Sequence, residues 1–200
     1  MILPDDFTQQ TKAFMGDELF HTLLNGLQEE PSVSIRLNPA KLNDLQPSTL
    51  RSNLFAFLRK NHPLGPTGRF PQKEPSPVPW CTTGYYLKER PSFTFDPLLH
   101  AGAYYVQEPS SMFLERVMQQ YVTDTVGMLD LCAAPGGKST LARTVLTPDS
   151  LLVSNEPIRN RAQILSENVQ KWGYRNHIVT NNYAKDFRKA KARFDVILTD

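Results

Sequence analysis

The stretch "LDLCAAPGGKST", Leu129 to Thr140, closes on Gly137, Lys138 and Ser139, the ending of a loop that cradles triphosphates. In a GxxxxGK[ST] loop, backbone N–H groups converge on the anion only with a glycine five residues before the second one. That position is Cys132, so phosphate binding lacks its first requirement. A different chemistry fits the same residues. Gly136 and Gly137 allow the backbone to turn tightly and approach a ligand, and the helix that follows attracts an anionic group such as a carboxylate at its N-terminus. Twenty residues beyond Gly136 stands Glu156, placed to accept hydrogen bonds from both hydroxyls of a ribose. Glycine turn plus acid describes a nucleoside pocket. The alternative is a tight strand-to-helix turn that holds no ligand.

These residues need a frame, and the chain supplies one from Gly127 onward. "GMLDLC", "SLLVSN", "HIVTN" and "FDVILTD" are short apolar runs, with "GKSTLARTVL" and "PIRNRAQILSENVQKWG" as helices between the first three. Alternation of this kind predicts a parallel sheet of four strands with crossover helices, and places the glycine loop in the crevice where such sheets bind ligands. The second helix carries Ile158, Ala162, Leu165, Val169 and Trp172 on one face, with Pro157 at its first turn and Gly173 at its end. Four strands are half of a usual doubly wound sheet, so the sequence reads as a piece of a longer protein.

Upstream the texture changes twice. Residues 1–62 read as a small α+β unit, with helices over Thr8–Leu27 and Gln46–Leu58 and an alternating strand in "SVSIRLN", where Val33, Ile35 and Leu37 share a face. Residues 63–107 hold six prolines from Pro63 to Pro79, a connecting loop, followed by aromatic strand-like segments. Residues 108–200 form the ligand-binding part. A helix begins at Pro109, and Leu114, Val117, Met118 and Tyr121 give it a buried stripe.

Composition narrows the class. The chain has 200 residues, 40% hydrophobic and 21% charged, the balance of a globular protein. A net charge of +2 permits a polyanionic partner but is far from a strongly basic nucleic-acid module. Two cysteines, Cys81 and Cys132, with no metal-ligand spacing, indicate neither a disulfide framework nor a metal site. No signal peptide is evident and no apolar run reaches the roughly 18 residues of a membrane span, so a cytoplasmic protein without a membrane partner is expected.

"LDLCAAPGGKST", "YYVQEPSSM", "SIRLNPAK" and "FDVILTD" together resemble the RNA (cytosine-5)-methyltransferases of the NOL1/NOP2/Sun family, of the bacterial ribosomal RNA type. The resemblance spans nearly the whole chain. It implies a small N-terminal domain followed by a class I, Rossmann-like methyltransferase domain, truncated here after its fourth strand, that binds S-adenosyl-L-methionine. It implies that Cys132, Ala133, Ala134, Pro135, Gly136, Gly137 and Lys138 wrap the methionine end of that cofactor and that Glu156 holds the ribose. Asn182 is the positional match for the family's adenine contact, with Asp186 second; an Asn carbonyl can still accept from the adenine amino group. Asp200 falls at the first position of an Asp-x-Pro-Cys-Ser segment, between cofactor and cytosine, and is the catalytic candidate. The expected partner is RNA, ribosomal first and transfer RNA second.

In the family a cysteine thiolate adds to carbon 6 of cytosine so that carbon 5 can take the methyl group. That cysteine belongs beyond Asp200, so residues 1–200 alone are expected not to methylate RNA. Cys132 is expected to be a buried structural residue and Cys81 to pack rather than react. His100 is expected to be a hydrogen-bonded structural histidine, and Tyr104 and Tyr105 to pack in a core rather than stack on a base. Gln107, Glu108 and Ser110 are candidates for the ligand side. Lys185, Arg188, Lys189, Lys191 and Arg193 read as a solvated face before an RNA contact. The runner-up function is a non-catalytic RNA-binding or assembly module that keeps the cofactor fold, and nucleotide triphosphate binding is third.

Overall fold

In the computed structural model the described residues are 3–29, 31–42, 75–88, 90–189, 191 and 193–200. The expected helix over Gln46–Leu58 and most of the proline-rich loop lie outside them. Two compact units divide between Ser32 and Val33. The first holds helix α1, Asp5–Gln28, close to the expected Thr8–Leu27, with Gly16 at non-helical angles breaking its course.

The second unit contains two sheets. Strands β1 (Val33–Leu37), β2 (Ser76–Pro77), β3 (Gly84–Leu87) and β4 (Tyr104–Val106) form an antiparallel sheet in the order β2-β3-β1-β4. Segments read as separate units in the sequence, at residues 33–37 and 84–106, thus share one sheet. Short helices α2 (Pro97–His100) and α3 (Pro109–Met112) follow β3 and β4, and Asp96 caps the first by accepting from Leu98 N at 2.9 Å. Helix α4 (Leu114–Tyr121) leads into the second sheet.

That sheet is parallel, β5 (Gly127–Asp130), β6 (Leu151–Asn155), β7 (His177–Thr180) and β8 (Val196–Leu198), in the order β7-β6-β5-β8. Helices α5 (Gly137–Val145) and α6 (Arg159–Trp172) make the crossovers, and α7 (Ala184–Phe187) follows β7. This is the nucleotide-binding order of a class I methyltransferase fold, with the strand order reversing beside β5. The runs expected as strands and helices are found as such.

Two stripes differ from expectation. On α4, Val117 and Tyr121 are exposed, while Glu115 and Met118 are buried. Glu115 faces inward because its carboxylate accepts from Thr82 N at 2.9 Å, Thr82 Oγ1 at 2.8 Å and Cys81 Sγ at 2.9 Å, which fastens the turn before β3. Such a polar anchor is invisible to an apolar count. On α6 the buried face is Ala162, Leu165, Val169 and Trp172, and Ile158, ahead of the helix start, is exposed.

The two sheets are joined by an arginine. Arg36, on β1, has no exposed surface; its guanidinium lies 4.4 Å from the Trp172 ring centre, and its Nε donates to Gln107 Oε1 at 2.9 Å. Its Nη2 donates to Thr140 Oγ1 at 2.6 Å and to Gly137 O at 3.3 Å. Removal from water lowers its pKa to about 10, still charged at neutral pH. Among the described residues no carboxylate bonds to it, so the ring face and the neutral oxygens of Gln107, Thr140 and Gly137 carry the charge. Asn38 adds a second tie: its Nδ2 donates to Gly102 O and Trp172 O, both at 2.9 Å. Gly102 sits at φ 69, and a Cβ there would lie 2.0 Å from Lys171 O, so only glycine permits this approach.

Arg36→Ala leaves buried Gln107 and Thr140 groups without their donor and opens a void beside Trp172. It is expected to lower stability by about 3 kcal/mol in urea denaturation. Arg36→Lys, which keeps charge but not the fork, recovers only part of that loss.

Candidate functional site

A cleft of about 340 Å3 opens at the C-terminal ends of β5 and β8. Its floor is the loop Cys132, Ala133, Ala134 and Pro135 with Gly137 and Lys138; Asp130 and Asp200 flank it, and Tyr105, Gln107, Glu108 and Ser111 form the opposite wall. The loop takes this shape for local reasons. Gly136 has φ 113, an angle that suits glycine, and serves as N-cap of α5. Ala133 and Ala134 turn inward onto Leu165 and Val169 of α6. Ala133 N donates to Asn155 O at 2.8 Å, and Asn168 Nδ2 donates to Pro135 O at 2.8 Å, so α6 and β6 hold the loop from behind.

Cys132 corrects an expectation. It is exposed and lines the cleft rather than packing in the core, because the turn sends its side chain outward while the two alanines take the interior positions. Cys81 is buried against Glu115, and burial with that carboxylate pushes its thiol up to about 11, far from a thiolate at neutral pH.

Charge in the cleft is mixed. Lys138 Nζ is ion-paired with Asp200, both partly open to solvent. Asp130 is buried; desolvation pushes its carboxyl up, opposed by the Ser139 hydroxyl at 2.5 Å and the Cys132 backbone N–H. The exposed Glu108 accepts from Ser110 Oγ at 2.8 Å and Ser111 Oγ at 3.0 Å, which lower its pKa. Gln107 spends its carbonyl on Arg36, and its Nε2 is a buried donor with no partner.

Of the residues expected at the site, the structure brings Cys132, Ala133, Ala134, Pro135, Gly137, Lys138 and Asp200 into one cleft, with Gly136 buried outside its lining. Glu156 and Asn182 stand apart from its lining, at the ends of β6 and β7. Glu156 is buried; Oε1 accepts from Ile158 N at 3.0 Å, and Oε2 has no hydrogen-bond partner although Arg161 Nη1 approaches to 3.5 Å. Arg161 also donates to Ala134 O at 2.9 Å, bridging acid and loop, a role not foreseen in the sequence, where it reads as one more exposed helix residue. Asn182 is held through its backbone by Asn155, and Asp186 accepts from Tyr183 N at 3.1 Å as part of the α7 cap.

The remaining candidates divide. His100 Nε2 pairs with Thr94 O at 2.8 Å, and buried Tyr104 donates to Asp96, so both are structural. Tyr105 packs edge-on against Trp172 and also walls the cleft. Lys185, Arg188, Lys189 and Lys191 lie along or after α7, with Lys189 3.7 Å from Asp186. Among the described residues no group of three or more metal-binding side chains occurs, and no helix is long and apolar enough to cross a membrane.

Residues 50–109 match the N-terminal domain of 16S rRNA methyltransferase RsmF, and residues 117–200 match 16S rRNA methyltransferase RsmB/F. The chain is 32% identical to ribosomal RNA small subunit methyltransferase F of Aeromonas hydrophila over 205 residues, covering 99% of this chain and 40% of that protein. The same enzyme of Vibrio atlanticus is 28% identical, with 99% and 39% covered. The chain thus spans about two fifths of the length of these curated relatives. A methyltransferase homolog protein from Pyrococcus horikoshii superposes with a TM-score of 0.69 at 20% identity, covering 99% of this chain and 64% of that one. NSun6 from Pyrococcus horikoshii with SFG gives 0.72 at 16% identity, covering 98% and 70%, a likeness of fold. The chain belongs to the 16S rRNA methyltransferase RsmB/F family.

Two outcomes follow from the geometry. A thiol reagent should label Cys132 alone in the native protein and both cysteines after denaturation, as read by mass spectrometry. Burial and the nearby Arg143 charge push His177, on β7, down to about 4 from 6.5. As pH falls from 6.5 toward 4 the unfolded chain takes up a proton there that the folded chain refuses, so stability falls. The loss of urea midpoint between about pH 7 and pH 5 should be smaller in His177→Gln.

Proposed function

We propose that this member of the RsmB/F family binds S-adenosyl-L-methionine and forms the cofactor-binding part of an enzyme that methylates carbon 5 of a cytosine in ribosomal RNA. The observation that supports it best is the cleft at the reversal of strand order, where a buried acid, a glycine-capped helix and a lysine–aspartate pair meet. The unpartnered atoms suit such a ligand. Gln107 Nε2 is a donor for a carboxylate, and Glu156 Oε2 is an acceptor for a ribose hydroxyl.

Asp130 takes the amino group of the methionine end, and the N–H groups opening α5 take its carboxylate. Glu156, with Arg161 Nη1 3.5 Å from its Oε2, takes the ribose, and Asn182 stands for the adenine. When bound, the cofactor supplies an electrophilic methyl group on a sulfonium. Lys138 holds Asp200 at the mouth of the cleft, where its carboxyl faces the incoming base and offsets charge on the ring.

Carbon 5 of cytosine reacts only after a nucleophile adds at carbon 6. Neither cysteine present is that nucleophile, since Cys81 is buried and bonded to Glu115, and Cys132 belongs to the loop under the cofactor. The attacking thiolate is therefore assigned outside residues 1–200, in the longer enzyme that the relatives represent.

Calorimetry with S-adenosylhomocysteine tests the cofactor assignment. Glu156→Ala should weaken binding by ~1.5–3 kcal/mol for each charge-assisted hydrogen bond lost. Glu156→Gln, which keeps the packing, should weaken it less; unchanged affinity in both variants would remove Glu156 from the site.

A further inference from the structure

Beneath α5, four side chains from four elements form one continuous run of hydrogen bonds. Ser139 Oγ lies 2.5 Å from Asp130 Oδ2, Ser154 Oγ 2.8 Å from Ser139 Oγ, and His177 Nε2 2.8 Å from Ser154 Oγ. Sheet register explains the meeting. Asp130 pairs with Ser154 and Ser154 with Val179, so His177, two residues before Val179, faces the same way as both. Ser139, in the first turns of α5, closes the gap, and both serines are fully buried. On that face Met128 and Leu152 pair in one row with His177, and the next row carries Asp130 and Ser154.

A hydroxyl carries one proton, which leaves the run two consistent polarities. In one, every donor points at the acid: His177 Nε2–H to Ser154, Ser154 to Ser139, Ser139 to a charged Asp130. In the other, a protonated Asp130 donates and the run ends on a bare Nε2, which puts the imidazole hydrogen on Nδ1. His177 Nδ1 is buried and has no partner. A bare lone pair in that position costs less than an orphaned N–H, and the positive charge of Arg143 nearby favours the lone pair further. The Cys132 N–H directed at Asp130 also calls for an acceptor.

We propose that this run is a directional wire, in which the Nε2–H tautomer of His177 holds Asp130 as a charged carboxylate for the cationic amino end of the ligand in the cleft. The ligand half rests on the cofactor reading above; the wire itself does not. His177, Ser154 and Ser139 are positioning residues that act through Asp130. Without their donors, desolvation would push the Asp130 carboxyl further up and weaken its hold on the ammonium.

Imidazole 15N NMR of the purified protein at about pH 7 should show His177 as the Nε2–H tautomer. In Asp130→Asn the amide donates to Ser139, the run reverses, and His177 should become the Nδ1–H tautomer. An Nδ1–H tautomer in the wild type, or no change in Asp130→Asn, would overturn the wire. Calorimetry then tests its use with two probes: S-adenosylhomocysteine, and 5′-methylthioadenosine, which lacks the amino-acid end. His177→Leu should bind the first roughly fivefold to tenfold more weakly and the second as the wild type does, while His177→Gln, whose amide can donate to Ser154, should restore most of the loss. Equal weakening of both probes would make His177 a packing residue only and contradict the proposal. Failure of both probes to bind the wild type would instead refute the cofactor reading, with the tautomer still deciding the wire.

Discussion

The cleft exists because one buried guanidinium is held between the two sheets. Arg36 reaches from the antiparallel sheet to the first turns of α5 and lies on Trp172 at the end of α6, so a single side chain fixes the wall carrying Gln107 against the floor carrying Gly137. A fully buried cation without a carboxylate partner is costly unless each donor is matched. Here the ring face and the oxygens of Gln107, Gly137 and Thr140 supply most of the match, and only Nη1 is left unpartnered. The glycine loop therefore has a rigid backing on both sides: Arg36 and Tyr105 from one sheet, α6 and β6 from the other.

Much of the parallel half was legible in the sequence. Strand and helix periods from Gly127 onward were clear because each element buries an apolar stripe, and the glycine turn announced itself through Gly136. Polar burial was not legible. Arg36 and Ser34 alternate with Val33 and Ile35, a pattern that reads as a strand with one wet face, yet Ser34 and Arg36 are buried under Gln107 and α5. Glu115 looks like a surface acid on a helix, and Ser154 and His177 look like strand ends. In each case the partner comes from a distant part of the chain, which local period cannot reveal.

Cys132 teaches the converse. Its type suggested burial, but a turn of two residues decides orientation more strongly than side-chain preference, and the neighbouring alanines fit the space against Leu165 that a thiol would have occupied. Buried polar side chains at Asp130 and Gln107 line the cleft and Glu156 stands beyond it, and the unpartnered Gln107 Nε2 and Glu156 Oε2 suit the polar ligand proposed above.

The most direct test is a crystal structure of the protein grown with S-adenosylhomocysteine. The ammonium group should lie about 3 Å from an Asp130 carboxylate oxygen, with the ligand carboxylate at the N-terminus of α5 and the ribose on Glu156. A ligand bound elsewhere, or in the cleft with its amino group directed away from Asp130, would contradict the assignment of this cleft to the methionine end of the cofactor.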